Sequence, residues 1–274
     1  MGSVFKTLAV RNGHDSFLYS RSGGTGFRHI PSSGLPDLSG IDAIVNLAGE
    51  PILGLWTKAK RQAILQSRVD TTRRVVEAMS QGGPRVLVNA SAIGFYGDTG
   101  EQEVDESSAK GKGFLSDVCQ AWENEAKAAE AYGVRVVRLR IGFVIGPGGA
   151  MKMIRPAFKA GLGGRLGNGR QWMSCIHVDD VAGMILEAVE NDHWRGAVNA
   201  VNPDPARNSD FTRALAAAVH RPALFPVPAF AMRFLLGDLS HVMLDSVRVH
   251  PTVALREGYR FRHPTLAEGL ASDE

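Results

Sequence analysis

Residues 41–51 read IDAIVNLAGEP. Ile44, Val45 and Leu47 form an apolar run that ends in Ala48-Gly49, where side-chain bulk falls away. A short apolar run bounded by turn signals predicts a strand of a parallel sheet, covered on both faces. Small residues at its carboxyl end let a flat ligand approach the backbone, and open α/β sheets bind ligands at that edge. Three further stretches end in a similar way. Residues 85–90 (RVLVNA) open into SAIGFYGD, residues 134–139 (VRVVRL) into RIGFVIGPGGAM, and residues 172–177 (WMSCIH) into VDDVA.

Helical patterns lie between these strands. Residues 3–10 carry Val4, Phe5 and Leu8 on one face and stop at Asn12-Gly13, a C-cap signal. Residues 57–80 place Ile64, Val69, Thr72, Val76 and Met79 near helical spacing, and 116–132 do the same with Val118, Trp122 and Ala126. Residues 180–190 form a further helix, with Asp179 or Asp180 as its expected N-cap and His177 beside it. Alternating strands and helices predict right-handed βαβ units, hence an α/β fold with a Rossmann-type doubly wound parallel sheet. After Pro203 the alternation weakens into proline-punctuated apolar sequence, RPALFPVPAFAMRFLLG. The expected division is a cofactor-binding domain over 1–203 and a small C-terminal, substrate-side appendage over 204–274.

Composition narrows the function classes. The net charge is +3 over 274 residues and the basic residues are scattered, which argues against nucleic acid as a partner. Cys119 and Cys175 are too few for a disulfide framework and lack metal-ligand spacing. No apolar run reaches the roughly 20 residues of a membrane span, and the N-terminus lacks a cleavable-signal layout. MGSVFK passes a loose myristoylation pattern at Gly2, but Lys6 stands where Ser or Thr is expected. The expectation is a cytoplasmic protein acting on a small molecule, with no metal and no membrane partner.

The stretches VNLAGE, NASAIGFYGD, RLRIGFVIGPGGAM and WMSCIHVDDVA together resemble the extended short-chain dehydrogenase/reductase superfamily. LWTKAKRQAILQSRVDTTR, FLSDVCQAWENEA, VPAFAMRFLLGDL and LREGYRFRHPTL narrow the resemblance to its atypical epimerase-family branch, which carries an extra C-terminal domain of the DUF1731 type. That family opens with a strand, a GxTGFIG loop and a helix whose N-terminus attracts the cofactor pyrophosphate. Met1-Gly2-Ser3 aligns with the last glycine of that loop, so Gly2 is a cofactor-binding candidate. The preceding strand would be central in the sheet, and its absence from the chain suggests a start that lies upstream or a truncated product. Gly23-Gly24-Thr25-Gly26-Phe27 spells a similar loop, but HIPSSG follows it where a helix is needed, so it reads as surface loop.

The resemblance also assigns roles along the chain. Ser20-Arg21 ends the strand after the first helix, where arginine accommodates the 2′-phosphate of NADP(H) and an acidic residue would select NAD(H). Leu47, Ala48 and Gly49 would pass under the adenosine and pyrophosphate, Arg68 would reach the cofactor, and Val144 would flank the nicotinamide. Ser91 matches the superfamily's active-site Ser/Thr and is the catalytic candidate. The Tyr-x-x-x-Lys pair is missing. Four residues after Tyr19, Tyr96, Tyr132 and Tyr259 stand Gly23, Gly100, Val136 and His263, and Leu115 and Cys119 occupy the matching helix positions. In the working superfamily the lysine lowers the tyrosine pKa and the tyrosine moves the proton.

Tyr96, Asp98, Asp117, Cys119, Glu123 and His177 are the remaining titratable groups in plausible stretches, with Tyr96 expected to pack and Glu123 to face solvent or pair locally. Arg170-Gln171-Trp172 is a candidate substrate-side contact. Two functions follow. One is an NADP(H)-dependent oxidoreductase or epimerase-like protein for an unidentified small molecule. The other is an NADP(H)-binding sensor or regulatory pseudoenzyme, of the kind labelled cell-division-related within the family.

Overall fold

The computed structural model describes residues 1–20, the backbone of 27–29, and residues 35–272. Arg21 and the glycine-rich stretch 23–26 therefore lie outside the described residues. Helix α1 spans Gly2–Arg11 and stops at Asn12, followed by Gly13 at φ +85°. Strands β1 (Leu18–Ser20) and β2 (Phe27–His29) pair in parallel as a separate two-stranded sheet. The main sheet is built from β3 (Ala43–Asn46), β4 (Val86–Ala92), β6 (Arg135–Ile141) and β10 (Gly196–Ala200), all parallel, in the order β10-β6-β4-β3. Strand β5 (Glu103–Val104) lies between β4 and β6 in the chain.

The long helix α2 (Lys58–Met79) and α3 (Phe114–Lys127) pack against each other on one face of this sheet, while α5 (Val178–Glu190) covers the other and packs on α1. The strands alternate accordingly: Leu87 and Val136 meet Val76 and Ala126, whereas Val88 and Val137 belong with Val181 and Ile185. Both faces of β4 and β6 are thus largely buried, although β6 carries Arg135, Arg138 and Arg140 among its apolar residues. Strand β3 departs from expectation. Ile44 and Val45 are half-buried, because β3 is the edge of the four-stranded ladder.

Beyond β6 the chain crosses Gly142 into β7 (Phe143–Ile145), which pairs with β9 (Cys175–His177). A Cβ at Gly142 would sit 2.3 Å from Ser174 O, so only glycine allows the two backbones to approach this closely. The expected strand over 172–177 is two short ones, β8 (Trp172–Met173) and β9, divided at Ser174. Ser174 Oγ donates to Val247 O and accepts from Val249 N, tying this point to the C-terminal region.

Helix α4 (Met151–Lys159) follows β7, and β11 (Ala206–Arg207) leads into α6 (Asn208–Ala218). Then come α7 (Ala229–Leu236), α8 (His241–Leu244), β12 (Arg248–Val249), α9 (Thr252–Arg256) and α10 (Leu266–Ala271). The tail clasps α5. Asp180, fully buried, accepts the backbone N–H groups of Arg262 (2.7 Å) and His263 (3.0 Å), and Tyr259 Oη donates to Asp180 O at 3.0 Å. Asp180 is therefore a tail anchor and neither it nor Asp179 caps α5. The N-cap is His177, whose Nδ1 accepts from Asp179 N at 3.2 Å.

Candidate active site

A cleft of about 1310 Å³ opens at the carboxyl ends of β3, β4 and β6. Leu47, Ala48 and Gly49 after β3, Ser91 near the end of β4, Arg68 of α2 and Val144 of β7 all line it. Met1 and Val4 of the first helix line it too, and a Cβ on Gly2 would lie 4.0 Å from Leu47 Cδ1. Six of the nine sequence candidates therefore converge on one cavity. Gly2 adjoins it, Ser20 ends β1 away from its lining, and Arg21 is outside the described residues.

The floor is held by a polar knot that periodicity alone concealed. Asn46 and Asn89 are directly opposed in the β3–β4 ladder, and Asn46 Nδ2 donates to Asn89 Oδ1 at 2.7 Å. Thr72 Oγ1 accepts from Asn46 Nδ2 and from Trp122 Nε1, both at 2.9 Å. All four groups are buried, so each needs its partner. The knot joins two strands to α2 and α3 beneath the Leu47-Ala48-Gly49 turn, while Asn46 Oδ1 accepts from Ala48 N at 3.2 Å. Both strands read Val-Asn before their turn, which is the signal that could have exposed it.

Arg68 lies across this turn. Its Nη1 donates to Glu50 O and Ile64 O, both at 3.0 Å, and a Cβ on Gly49 would fall 2.9 Å from the guanidinium carbon. The guanidinium also sits 5.1 Å from the Trp122 ring centroid. Burial pulls its pKa down, opposed by nearby Cys119 and Glu50; as arginine it stays charged. A held cation beside bare backbone, near the first turn of α1, is a setting for phosphate.

Ser91 lies near the end of β4. It is buried, and its Oγ donates to Glu123 Oε1 at 2.7 Å. Glu123 neither faces solvent nor pairs locally: it is 1% exposed and held by Arg140 through Nε (2.8 Å) and Nη2 (2.9 Å), with Arg138 Nη1 at 3.2 Å. Sequence missed this pair because Glu123 lies on α3 and Arg140 on β6, with no periodic relation. Arg140 Nη1 continues to Tyr96 Oη at 2.9 Å, and Tyr96 donates to Asn199 Oδ1 at 2.7 Å. Burial pushes the Tyr96 phenol up to about 12, so it stays protonated as a structural donor. The Ser91 proton is thus directed at a buried carboxylate.

Leu115 and Cys119 do take the places opposite the β4 end. Both line the cleft, and a Cβ on Gly94 would meet Leu115 Cβ at 3.3 Å and Cys119 Sγ at 3.9 Å. Burial, then Glu123, pushes the Cys119 thiol up to about 11, and burial pushes Cys175 up to about 12. Neither is a nucleophile at neutral pH. Because both folded pKa values exceed the ordinary value of 9.0, the unfolded chain loses these protons first. Their stabilising contribution is complete below about pH 9 and is lost as the pH rises through 11 to 12. Urea midpoints measured across this range should fall less steeply for Cys119→Ala/Cys175→Ala than for the wild type.

The C-terminal region closes the far side with Asp238, His241, Asp245 and Val247. Arg61 of α2 pairs with Asp238 and lies 5.0 Å from the Phe114 ring centroid, bridging the cleft. Asp98, another lining residue, accepts the Ser246 N–H at 3.1 Å. Arg170-Gln171-Trp172 is not part of the lining: the Trp172 ring is covered by Arg207 and Arg248, and Gln171 bonds to Leu166 O and Met243 O. Next to the lining residue Val178, but not in the lining themselves, His177, Asp179 and His263 bring ligand-capable atoms within 4.8 Å of one another. His177 Nδ1 is already used as the helix cap there.

Residues 34–201 match the NAD dependent epimerase/dehydratase family, and residues 227–272 match a domain of unknown function, DUF1731. The chain belongs to this family. It is 39% identical over 238 residues to the epimerase family protein SDR39U1 homolog, chloroplastic, of Arabidopsis thaliana, covering 85% of this chain and 68% of that one. The crystal structure of human epimerase family protein SDR39U1 (isoform2) with NADPH superposes with a TM-score of 0.90 at 32% identity, covering 99% of this chain and 95% of the other. UDP-glucose 4-epimerase of Thermus thermophilus, in complex with NAD, gives a TM-score of 0.74 at 18% identity over 99% and 94% of the two chains. That last likeness establishes the Rossmann-type fold alone. Among the described residues no helix is long and apolar enough to cross a membrane.

Proposed function

We propose that this epimerase-family chain binds NADP(H) in the β3–β4–β6 cleft and acts as an oxidoreductase or epimerase-like protein on a small molecule. The observation that carries the proposal is Arg68 lying over Gly49 at the foot of the cleft, where small residues leave backbone open to a flat anionic ligand. The cleft also exceeds the roughly 300–1,000 Å³ of ordinary small-molecule pockets, which suits a dinucleotide with a second ligand. Leu47, Ala48 and Gly49 would hold the adenosine and pyrophosphate, Arg68 the phosphate charge, and Val144 the nicotinamide side. Gly2 would contribute an uncapped helix N-terminus. The nicotinamide, when bound, supplies hydride exchange at C4. Ser91 would polarise the reacting oxygen by turning its proton from Glu123 toward the cleft.

Arg21 supports NADP(H) over NAD(H), as does the NADPH in the human relative. A second reading, an NADP(H)-sensing regulatory protein, is favoured by one observation: Leu115 and the high-pKa Cys119 stand where a proton-transferring pair would be needed. Fluorescence titration with NADPH and NADH tests the shared part. Saturable binding of NADPH, weakened in Arg21→Ala while NADH binding is unchanged, is the expected result. Binding of neither nucleotide would remove both readings. NADPH consumption across a panel of carbonyl compounds then separates enzyme from sensor.

A further inference from the structure

Two stretches of the chain contain no acidic residue: 131–178, with eight basic residues, and 211–237, with three. The fold lays parts of them side by side. Phe225 N donates to Gly163 O (3.1 Å), Val227 N to Arg165 O (2.9 Å) and Gly167 N to Val227 O (2.8 Å). Helix α7 begins two residues later. The result is an apolar face that the described structure leaves uncovered: Phe234 is 88% exposed, Phe230 75%, Leu224 71%, Leu235 67% and Phe225 57%. On α7 only Met232 is buried, opposite Phe230 and Phe234, which are one turn apart on the outer side. Scattered exposed apolar residues are ordinary, but this many on one helix and the segment leading into it mark a contact surface.

The charge around this face indicates what covers it. Lys152, Lys159, Arg165, Arg221 and Arg233 are exposed on the same two stretches. The acidic residues that bound the second stretch are already engaged, Asp210 with Arg213 at 3.3 Å and Asp238 with Arg61. A second copy of the chain would bring like charges together across the interface, which disfavours self-pairing. Beside Leu224 a groove of about 470 Å³ is lined by Arg165, Arg213, Ser209 and Thr212, a cationic and hydroxyl-bearing setting for a phosphate group. Exposed phenylalanines on one side of a short helix, with Arg233 on it and further basic residues on the segments beside it, fit contact with a membrane interface.

We infer that this face docks on an anionic phospholipid surface, with Phe230, Phe234 and Leu235 entering the headgroup–acyl boundary. Arg165, with the Ser209 and Thr212 hydroxyls, would seat a lipid phosphate. The inference departs from the composition-based expectation of no membrane partner, because a surface patch leaves no mark on span-length hydropathy. Helix α7 leads directly to Asp238 and His241 of the cleft wall, so docking would place the cleft mouth at the bilayer surface.

Flotation of the full chain with phosphatidylcholine vesicles, with and without phosphatidylglycerol, tests this independently of nucleotide binding. The expected result is co-flotation only with the anionic vesicles, reversed by high salt. Phe230→Ser/Phe234→Ser should lower partitioning by roughly tenfold or more, with unchanged far-UV circular dichroism and urea midpoint. Arg165→Glu/Arg221→Glu should abolish the preference for anionic lipid. Absence of flotation with either vesicle, or equal flotation of the phenylalanine double variant, would overturn the proposal. So would a solution dimer that the same two phenylalanine substitutions dissociate without any vesicle binding, which would assign the face to a second copy.

Discussion

Glu123→Ala is expected to lower the unfolding free energy by about 3–5 kcal/mol, the cost of stranding a buried charge. Glu123 is 1% exposed and Arg140 4% exposed, so water cannot replace the lost partner. Among the described residues Arg140 would keep only Tyr96 as a hydrogen-bond partner, with its guanidinium carbon 3.5 Å from the Phe95 ring centroid. Arg138 and Ser91 would lose their contacts to the same carboxylate. Removing both charges with Glu123→Met/Arg140→Met should recover a large part of the loss, because a whole buried pair can be replaced at little net cost. Urea unfolding of the two single variants and the double variant gives the coupling directly. A loss under about 1 kcal/mol for Glu123→Ala would show that the pair is water-accessible and that this account of it is wrong.

The second large effect concerns binding. Arg68→Met should raise the NADPH dissociation constant by roughly 10- to 100-fold, the range expected for losing hydrogen bonds to a charged group. Methionine retains much of the packing against Trp122 and Gly49, so the urea midpoint should move little. Arg68→Lys should recover only part of the affinity, since lysine keeps the charge but lacks the planar fork that spans the Gly49 turn. Unchanged NADPH affinity in Arg68→Met would remove the phosphate role from this residue and leave it a support for Glu50 O and Ile64 O.

Much of the architecture is readable from the chain because its determinants are local. The run through Ile44 and Val45, the helical spacing in α2 and the Asn12-Gly13 stop each depend on neighbours within a few residues. Strand-end signals were legible for the same reason: Leu47-Ala48-Gly49, Ser91 and Val144 each follow an apolar run and reach the cleft because parallel strands all end on one side. The N-cap of α5 was displaced by two or three residues from expectation, since Asp179 and Asp180 are both good capping residues and the choice of His177 depends on the tail that captures Asp180.

By itself the sequence determined the alternation of strands and helices, the residues at the strand ends, and the absence of a Tyr-x-x-x-Lys pair. Only the tertiary structure decided that Asn46, Asn89, Thr72 and Trp122 form one knot, and that the Ser91 proton is directed at a carboxylate held by Arg140. It likewise decided that two acid-free stretches far apart in the chain share one exposed apolar face. Periodicity reports which side of an element is buried, whereas the partner of a buried polar group, or the cover of an exposed apolar one, is set by contacts between distant segments that no local pattern encodes.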